Sequence, residues 1–339
     1  MRILVLVLSV LLFSTALCAQ TDMLGRTVPV PVHVTKAFSA SPPMMVLLYT
    51  LAPEKMVGVN YNFLEVEKRF MLPYIQTLPV LGGFFGGGNH ANLEKILSLK
   101  PNIVFAWDTS HQSAGDFEKT LNTFDIPVVY IRQNTLRDSL EALTVAGIYL
   151  KEEARAQTLV AYGEANLARV EKSVETLGER PRKRVFFAQG QDGLNTECSN
   201  DRQSEIISFT GGVNVHVCPN TPEGNYKREK ITLEKLYMYD PDVIFVREKS
   251  FFESLNDTHP WHNLTAYQQG QIYLVPSSPF AWLSRPPSLV RFLGVVWMHY
   301  VLYPEHFPVV IDKEIREFYE LFLHVSLSDT EIQHLLKGE

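Results

Sequence analysis

Residues 92–106 read NLEKILSLKPNIVFA, and residues 232–246 read TLEKLYMYDPDVIFV. The stretches are offset by 140 positions (232 minus 92) and share five identities: Leu93/Leu233, Glu94/Glu234, Lys95/Lys235, Pro101/Pro241 and Phe105/Phe245. Each reads as a short amphipathic helix, a proline break and an apolar strand. Asn92 and Thr232 are good N-caps, and an acid in the first turn favours the helix dipole. A helix–strand unit written twice predicts two similar α/β bodies in one chain.

The flanking sequence extends this pattern. Residues 22–36 alternate apolar and polar with Gly and Pro punctuation, which predicts a hairpin or edge strands. Residues 37–59 read as strand, turn, helix and strand, and 64–77 as a helix or irregular segment. A helix over 113–124 and the strand IPVVYI follow the first repeat. An amphipathic helix covers 135–149. Residues 152–177 then carry Ala156, Leu159, Val160, Leu167, Val170 and Val174 at helical spacing with no proline. Such a helix would extend roughly 39 Å, the length of a spacer between two bodies. After the polar break GERPRK the second half restarts with RVFFAQG, EIISFTGG, the second repeat, QIYLVP and three closing helices. Alternating strands and helices predict α/β sheets with helices on their faces.

A chain of 339 residues with 46% hydrophobic and 20% charged content is ordinary for a globular protein. A net charge of −6 with no long basic run excludes a nucleic-acid binder. The first twenty residues, MRILVLVLSVLLFSTALCAQ, read as a secretory signal peptide. Their apolar run, Ile3 to Phe13 broken only by Ser9, is too short to span a bilayer. Cleavage is expected after Cys18 or Ala19, leaving a soluble, exported chain of net charge −7 (−6 less the one charge of Arg2). A lipid-anchored Cys18 is the rival reading, disfavoured by the bulky Leu17 before it. Cys198 and Cys218 remain, either as a disulfide worth roughly 3 kcal/mol or as two free thiols.

The ordered set of TDMLGRTVPVP, LAPEKMVGV, LPVLGG with NLEKILSLKPNIVFA, EIISFTGGVNV, NLTAYQQGQIYLVP and RPPSLVRFLGVVWMHYVLYPE resembles one family. These are the extracytoplasmic substrate-binding proteins of ABC importers for ferric siderophores, haem and cobalamin. The resemblance covers nearly the whole mature chain. It implies two similar α/β lobes joined by a single long rigid helix, with a ligand cleft between the lobes. The divisions expected are 1–19 for the signal peptide, 20–150 for the N-terminal lobe, 151–178 for the connecting helix and 179–339 for the C-terminal lobe. It also implies that Glu94 and Glu234 dock the lobes onto a two-subunit membrane permease. The protein would act as a monomer with no intrinsic cofactor, its metal belonging to the transported ligand.

Ligand contacts are expected on loops at the strand ends facing the cleft. The N-terminal candidates are Ser41, the loop 82–90 with Asn89 and His90, and Trp107 with Asp108. The C-terminal candidates are Asn195, Thr196, Arg202, Tyr226, Arg247, Phe280, Trp282 and Arg285. The stretch GGFFGGGNH has five glycines in nine residues, and free N–H groups there suit an anion. It is not a Walker loop, and a plain surface loop is its bland reading. His90 is the candidate metal ligand or oxyanion donor, against a solvated loop histidine. The Arg285 guanidinium suits an anionic ligand. Phe280 and Trp282 suit its flat or apolar surface, or else the core. Tyr226 offers a phenol.

The pairs His259/His262 and His216/Cys218 offer metal-type ligands without a zinc frame. Trp261 is expected to be structural. The sequons at Asn256 and Asn263 carry no meaning in a bacterial protein, which the resemblance implies. The expected cargo is anionic and metal-bearing, a ferric chelate, haem or cobalamin. A metal oxyanion such as molybdate or tungstate and a nickel chelate are the alternatives. An exported hydrolase is the rival class, but neither a Gly-x-Ser-x-Gly elbow nor a His-Glu-x-x-His motif occurs. A surface interaction module without a small ligand is the third class.

Overall fold

The computed structural model describes residues 19–84, 90–108, 116–218, 228–284 and 287–338. The first half opens on an antiparallel hairpin of β1 (Ala19–Thr21) and β2 (Thr27–Pro29). It begins and ends earlier than the alternation over 22–36 predicts. Then come β3 (Ala37–Ser39), α1 (Pro42–Leu51), α2 (Glu65–Lys68), α3 (Leu93–Leu99), β4 (Ile103–Trp107), α4 (Asp116–Asn122), β5 (Val128–Ile131) and α5 (Leu136–Leu150). Strands β3, β4 and β5 form a parallel sheet in that order. The expected strand at 56–59 is reduced to single bridges, Ala37 with Met56 and Val59 with Val80.

The second half contains β6 (Arg184–Ala188), β7 (Asn195–Glu197), α7 (Glu205–Phe209), β8 (Val213–Asn214), β9 (Arg228–Lys230), α8 (Leu233–Tyr239), β10 (Val243–Val246), α9 (Lys249–Ser254), α10 (Thr265–Gln268) and β11 (Ile272–Leu274). Its parallel sheet runs β11–β10–β6–β8. Strands β7 and β9 form a separate antiparallel pair, which polar sequences such as NTE and REK do not announce.

The repeated sequence gives a repeated structure. The Asn92 Oδ1 accepts from Lys95 N at 2.9 Å, and the Thr232 Oγ1 accepts from Lys235 N at 3.3 Å. Helices α3 and α8 both end on a left-handed residue, Lys100 at φ 52° and Asp240 at φ 35°. Both following strands, β4 and β10, are interior to their sheets. They are apolar because both faces are covered.

Between the halves runs α6 (Glu153–Thr176), an unbroken helix of 24 residues that extends about 36 Å. Its buried stripe is Ala156, Leu159, Gly163, Asn166, Leu167, Val170 and Ser173. It packs against α5 on one side and α11 (Arg291–Leu302) on the other. Gly163 lies at the crossing: a Cβ there would stand 2.7 Å from Leu140 Cδ2 and 3.2 Å from Phe292 Cζ. Arg169 ties the same helix to Glu314 of α12 (Ile311–Leu323) through a two-pronged pair, one contact at 2.8 Å. The chain closes with α13 (Asp329–Lys337).

The C-terminal helices return to the first half. The Tyr49 hydroxyl of α1 donates to Leu323 O at 2.7 Å and accepts from Leu72 N at 2.9 Å. Arg155 donates to Thr50 O at 2.8 Å and to Leu321 O at 2.9 Å. Phe280 meets Tyr49 and Phe63 edge-on, with ring centroids 5.9 and 6.4 Å apart. One apolar core therefore runs from α1 through α5 and α6 to α11 and α12, while each sheet's other face has its own smaller core.

Two expectations follow. Filling the Gly163 crossing, as in Gly163→Leu, lowers unfolding stability by about 1–3 kcal/mol. An exposed helical glycine would instead gain about 1 kcal/mol on replacement by a good helix former. Denaturant titration reads the sign, and a gain would contradict the close approach. His299 is fully buried, with Nδ1–H donating to Thr210 O at 2.9 Å and Nε2 2.8 Å from Ser173 Oγ. Burial holds its pKa below 6.5. The folded chain keeps it neutral where the unfolded chain takes up a proton. Its contribution is complete above about 6.5 and is lost as pH falls toward the folded-state value. The melting temperature should therefore drop more steeply between about pH 6.5 and 5 in the parent than in His299→Gln. Parallel curves would contradict this assignment.

Candidate functional site

The carboxyl ends of the parallel strands collect the polar residues of each half. After β3, Ser41 occupies the N-cap position of α1 but makes no capping bond, and its buried Oγ has no partner. Asn60 holds the start of the glycine loop here. Its Nδ2 donates to Ser39 O at 2.8 Å and Gly82 O at 2.6 Å, and its Oδ1 accepts from Ser39 Oγ at 3.2 Å. A Cβ on Gly83 would stand 3.0 Å from Ala40 O, a tight contact that glycine avoids. Gly83 also bridges to His90, which closes the loop base and leaves His90 exposed.

After β4, Trp107 is half-buried, and the buried Asp108 accepts from Arg132 Nε at 3.0 Å. After β5, Gln133 is fully buried, with neither amide atom hydrogen-bonded. Gln189 after β6 is in the same condition, while its backbone pairs with Asn195 at 2.8 and 3.0 Å. Thr196 and Ser284, both buried, also have hydroxyls without a partner. Arg247 after β10 is half-buried and donates to Glu248 Oε1 at 3.1 Å, while Glu248 Oε2 accepts from Gly190 N at 2.8 Å. Arg202 is half-exposed in the turn before α7.

A buried arginine also ties the halves together near the strand ends. Glu205 Oε2 accepts from Leu136 N at 3.0 Å and from Arg291 Nη2 at 3.1 Å, and Arg291 Nη1 donates to Asn134 O at 3.5 Å. Arg291 is buried and Glu205 partly exposed, and the pair joins the end of β5 to the second half. A cleft of about 330 Å³ is lined from both halves. Tyr61 and Glu67 line it from the first half, and Arg247, Glu248, Ser277 and Pro279–Ala281 from the second. Burial pushes the Tyr61 phenol and the Glu67 carboxyl above their ordinary values. A larger groove of about 1070 Å³ lies elsewhere, between the β1–β2 hairpin and the amino ends of the strands.

The expected aromatic wall is only partly present. Phe280 lines the cleft. Trp282 does not: it is fully buried, its Nε1 donates to Tyr319 Oη at 3.3 Å, and its ring meets Trp297 at 5.9 Å. Trp282 is a core residue because α11 and α12 close over it. Asn89, Tyr226 and Arg285 lie outside the described residues. Trp261 is buried against Phe251 and Phe186. Cys198 and Cys218 are joined in a disulfide. Sequence reasoning passed over Gln133, Gln189, Ser284 and the Glu205–Arg291 bridge. A signal for the glutamines was there: VVYIRQ and RVFFAQ each place an amide just past an apolar strand.

The family model described as "Periplasmic binding protein" matches residues 81–279. The molybdate-binding protein MolA of Haemophilus influenzae is 26% identical over 90% of this chain and 91% of its own. A solved ABC transporter solute binding protein from Sulfurospirillum deleyianum superposes with a TM-score of 0.83 at 30% identity, covering 94% of this chain and 99% of that one. MolA solved with molybdate shares the fold, with a TM-score of 0.74 at 22% identity over 92% and 99% of the two chains. Two lobes around paired parallel sheets, an unbroken connecting helix and these matches place the chain in the periplasmic binding protein family.

Proposed function

We propose that the protein is the exported capture component of an ABC importer, and that its cargo is a compact metal oxyanion of the molybdate class. The observation that carries this reading is the pair Gln133 and Gln189, buried amides without partners past β5 and β6. Ser41 and Ser284 add two hydroxyls in the same condition. A buried polar group left unpaired costs about 1–3 kcal/mol. An oxyanion has enough acceptor oxygens to satisfy several such donors at once, and neutral donors serve it without leaving a buried cation behind. The small cleft and the withdrawal of Trp282 into the core also favour a compact cargo over a wide macrocycle. The likeness to MolA over nine-tenths of the chain supports the same reading.

A ferric or related anionic chelate is the second reading. The run Tyr61–Phe63–Phe280 beside Arg247 favours it, because edge-to-face rings next to a guanidinium suit a flat anion.

In the importer, Glu94 and Glu234 are the docking acids. Both are exposed in the first turns of the matched helices α3 and α8. The Glu234 carboxyl is held below its ordinary value by its own backbone N–H and the Thr232 hydroxyl, so it stays ionised. Two turns of α8 also present Tyr237 and Met238, the latter 83% exposed. An acid beside exposed apolar side chains suits a partner surface.

Equilibrium dialysis of the mature chain against molybdate, tungstate, ferric citrate, haem and cobalamin should retain one molybdate or tungstate per chain. Retention of a chelate alone would favour the second reading and contradict the first. Gln133→Leu and Gln189→Leu should each weaken oxyanion binding on the order of tenfold to a hundredfold. Neither should lower the melting temperature, because each removes an unpaired amide. Wild-type affinity in both would sink the site. Reversing both charges, Glu94→Arg with Glu234→Arg, should abolish transport with cargo affinity unchanged. Normal transport would refute docking by these acids.

A further inference from the structure

A second cluster in the C-terminal half takes no part in the cargo site. Cys198 follows β7, His216 and Cys218 follow β8, and Glu229 lies in β9. His216 is fully buried. Its Nε2 is 3.3 Å from Cys218 Sγ and 3.1 Å from Glu229 Oε2, and its Nδ1 is 3.0 Å from the Tyr239 hydroxyl. One ligand atom from each of Cys198, His216, Cys218 and Glu229 fits within a span of 4.8 Å. The backbone around the imidazole is fixed as well: His216 N donates to Asn214 Oδ1 at 3.0 Å, and Ser199 N donates to His216 O at 2.8 Å.

A disulfide by itself needs no buried imidazole beside it, and placing one there carries a desolvation cost. Two sulfurs, one imidazole nitrogen and one carboxylate oxygen are, by contrast, a complete tetrahedral donor set for a borderline-soft divalent cation. Bound to metal through Nε2, the ring would carry its proton on Nδ1 and donate it to Tyr239 Oη, the outer partner that orients the ring.

We propose that reduction of the Cys198–Cys218 disulfide turns this cluster into a Zn²⁺ site. The β7–β9 region is then clamped by a sulfur–sulfur bond in the oxidised chain and by a metal in the reduced one. The reductant is a dithiol. It gives two electrons and two protons to the disulfide, becomes a disulfide itself and leaves two thiols on the protein. Metal binding releases both thiol protons to solvent, so two thiolates, one carboxylate and a neutral imidazole face the dication. Either clamp holds β7, whose Asn195 pairs with Gln189 at the cargo cleft. The inference rests on the cluster alone and stands whatever the cargo is.

Co²⁺ is the spectroscopic probe. The full mature chain is reduced with dithiothreitol, desalted without oxygen and titrated. One equivalent of Co²⁺ should bring up thiolate charge-transfer bands in the near ultraviolet and the visible bands of a tetrahedral site, both erased by Zn²⁺. The oxidised chain should give neither. His216→Ala and Glu229→Gln, each checked for native circular dichroism while oxidised, should weaken Co²⁺ binding at least about tenfold after reduction. If the reduced chain loses structure without metal, Zn²⁺ should restore its melting transition. The proposal is overturned if the reduced parent shows no charge-transfer band and no Zn²⁺-dependent rise in melting temperature. It is equally overturned if both variants titrate like the parent, since the two cysteines alone would then account for the binding.

Discussion

The close packing of α6 between α5 and α11 is the constraint on which the rest depends. A helix of 24 residues is stiff only if its neighbours hold it along its length. Here Gly163 lets Leu140 and Phe292 close onto it, Arg169 pairs with Glu314, and Arg155 ties its amino end to α1 and α12. This fixes the distance between the two parallel sheets. Because every strand in each sheet runs the same way, each sheet gathers its carboxyl ends at one edge. The chain thus obtains two clusters of loop residues at a set separation without any loop having to specify it.

The same packing limits what the cleft can be. Tyr49, Phe63, Phe280, Tyr319 and Trp282 fill the region where α1 meets the C-terminal helices, and the core is continuous there. Most of these rings are spent on joining the halves, and of the five Phe280 also lines the cleft. Among the described residues, what remains at the strand ends is mostly neutral amide and hydroxyl, with Arg291 already committed to Glu205 and Asp108 to Arg132. A site rich in neutral hydrogen-bonding groups suits a ligand that brings its own charge and several acceptors. A rigid frame also lowers the cost of organising such a site when the ligand arrives.

Much of the fold was legible because its signals are local. The duplicated helix–strand unit declares itself through N-caps, proline breaks and apolar strands, and α6 through an uninterrupted stripe. The polar pair β7–β9 was not legible, since NTE and REK carry no alternating apolar pattern. The strand expected at 56–59 is apolar, but it meets its neighbours at single bridges only. Phe280 lines the cleft, and loop position puts Ser41 and Arg247 past strand ends. It misplaced Trp282, because a tryptophan before a helix reads the same whether the helix covers it or leaves it bare. It missed Gln133 and Gln189 because a buried amide becomes conspicuous only when its hydrogen bonds are counted.

Anomalous diffraction from crystals grown with tungstate tests the central claim most directly, because the metal marks its own position. The account predicts one strong peak between the lobes, within hydrogen-bonding reach, through its oxygens, of the Gln133 and Gln189 amides at the carboxyl ends of β5 and β6. A peak elsewhere on the molecule, or none at saturating tungstate, would contradict it.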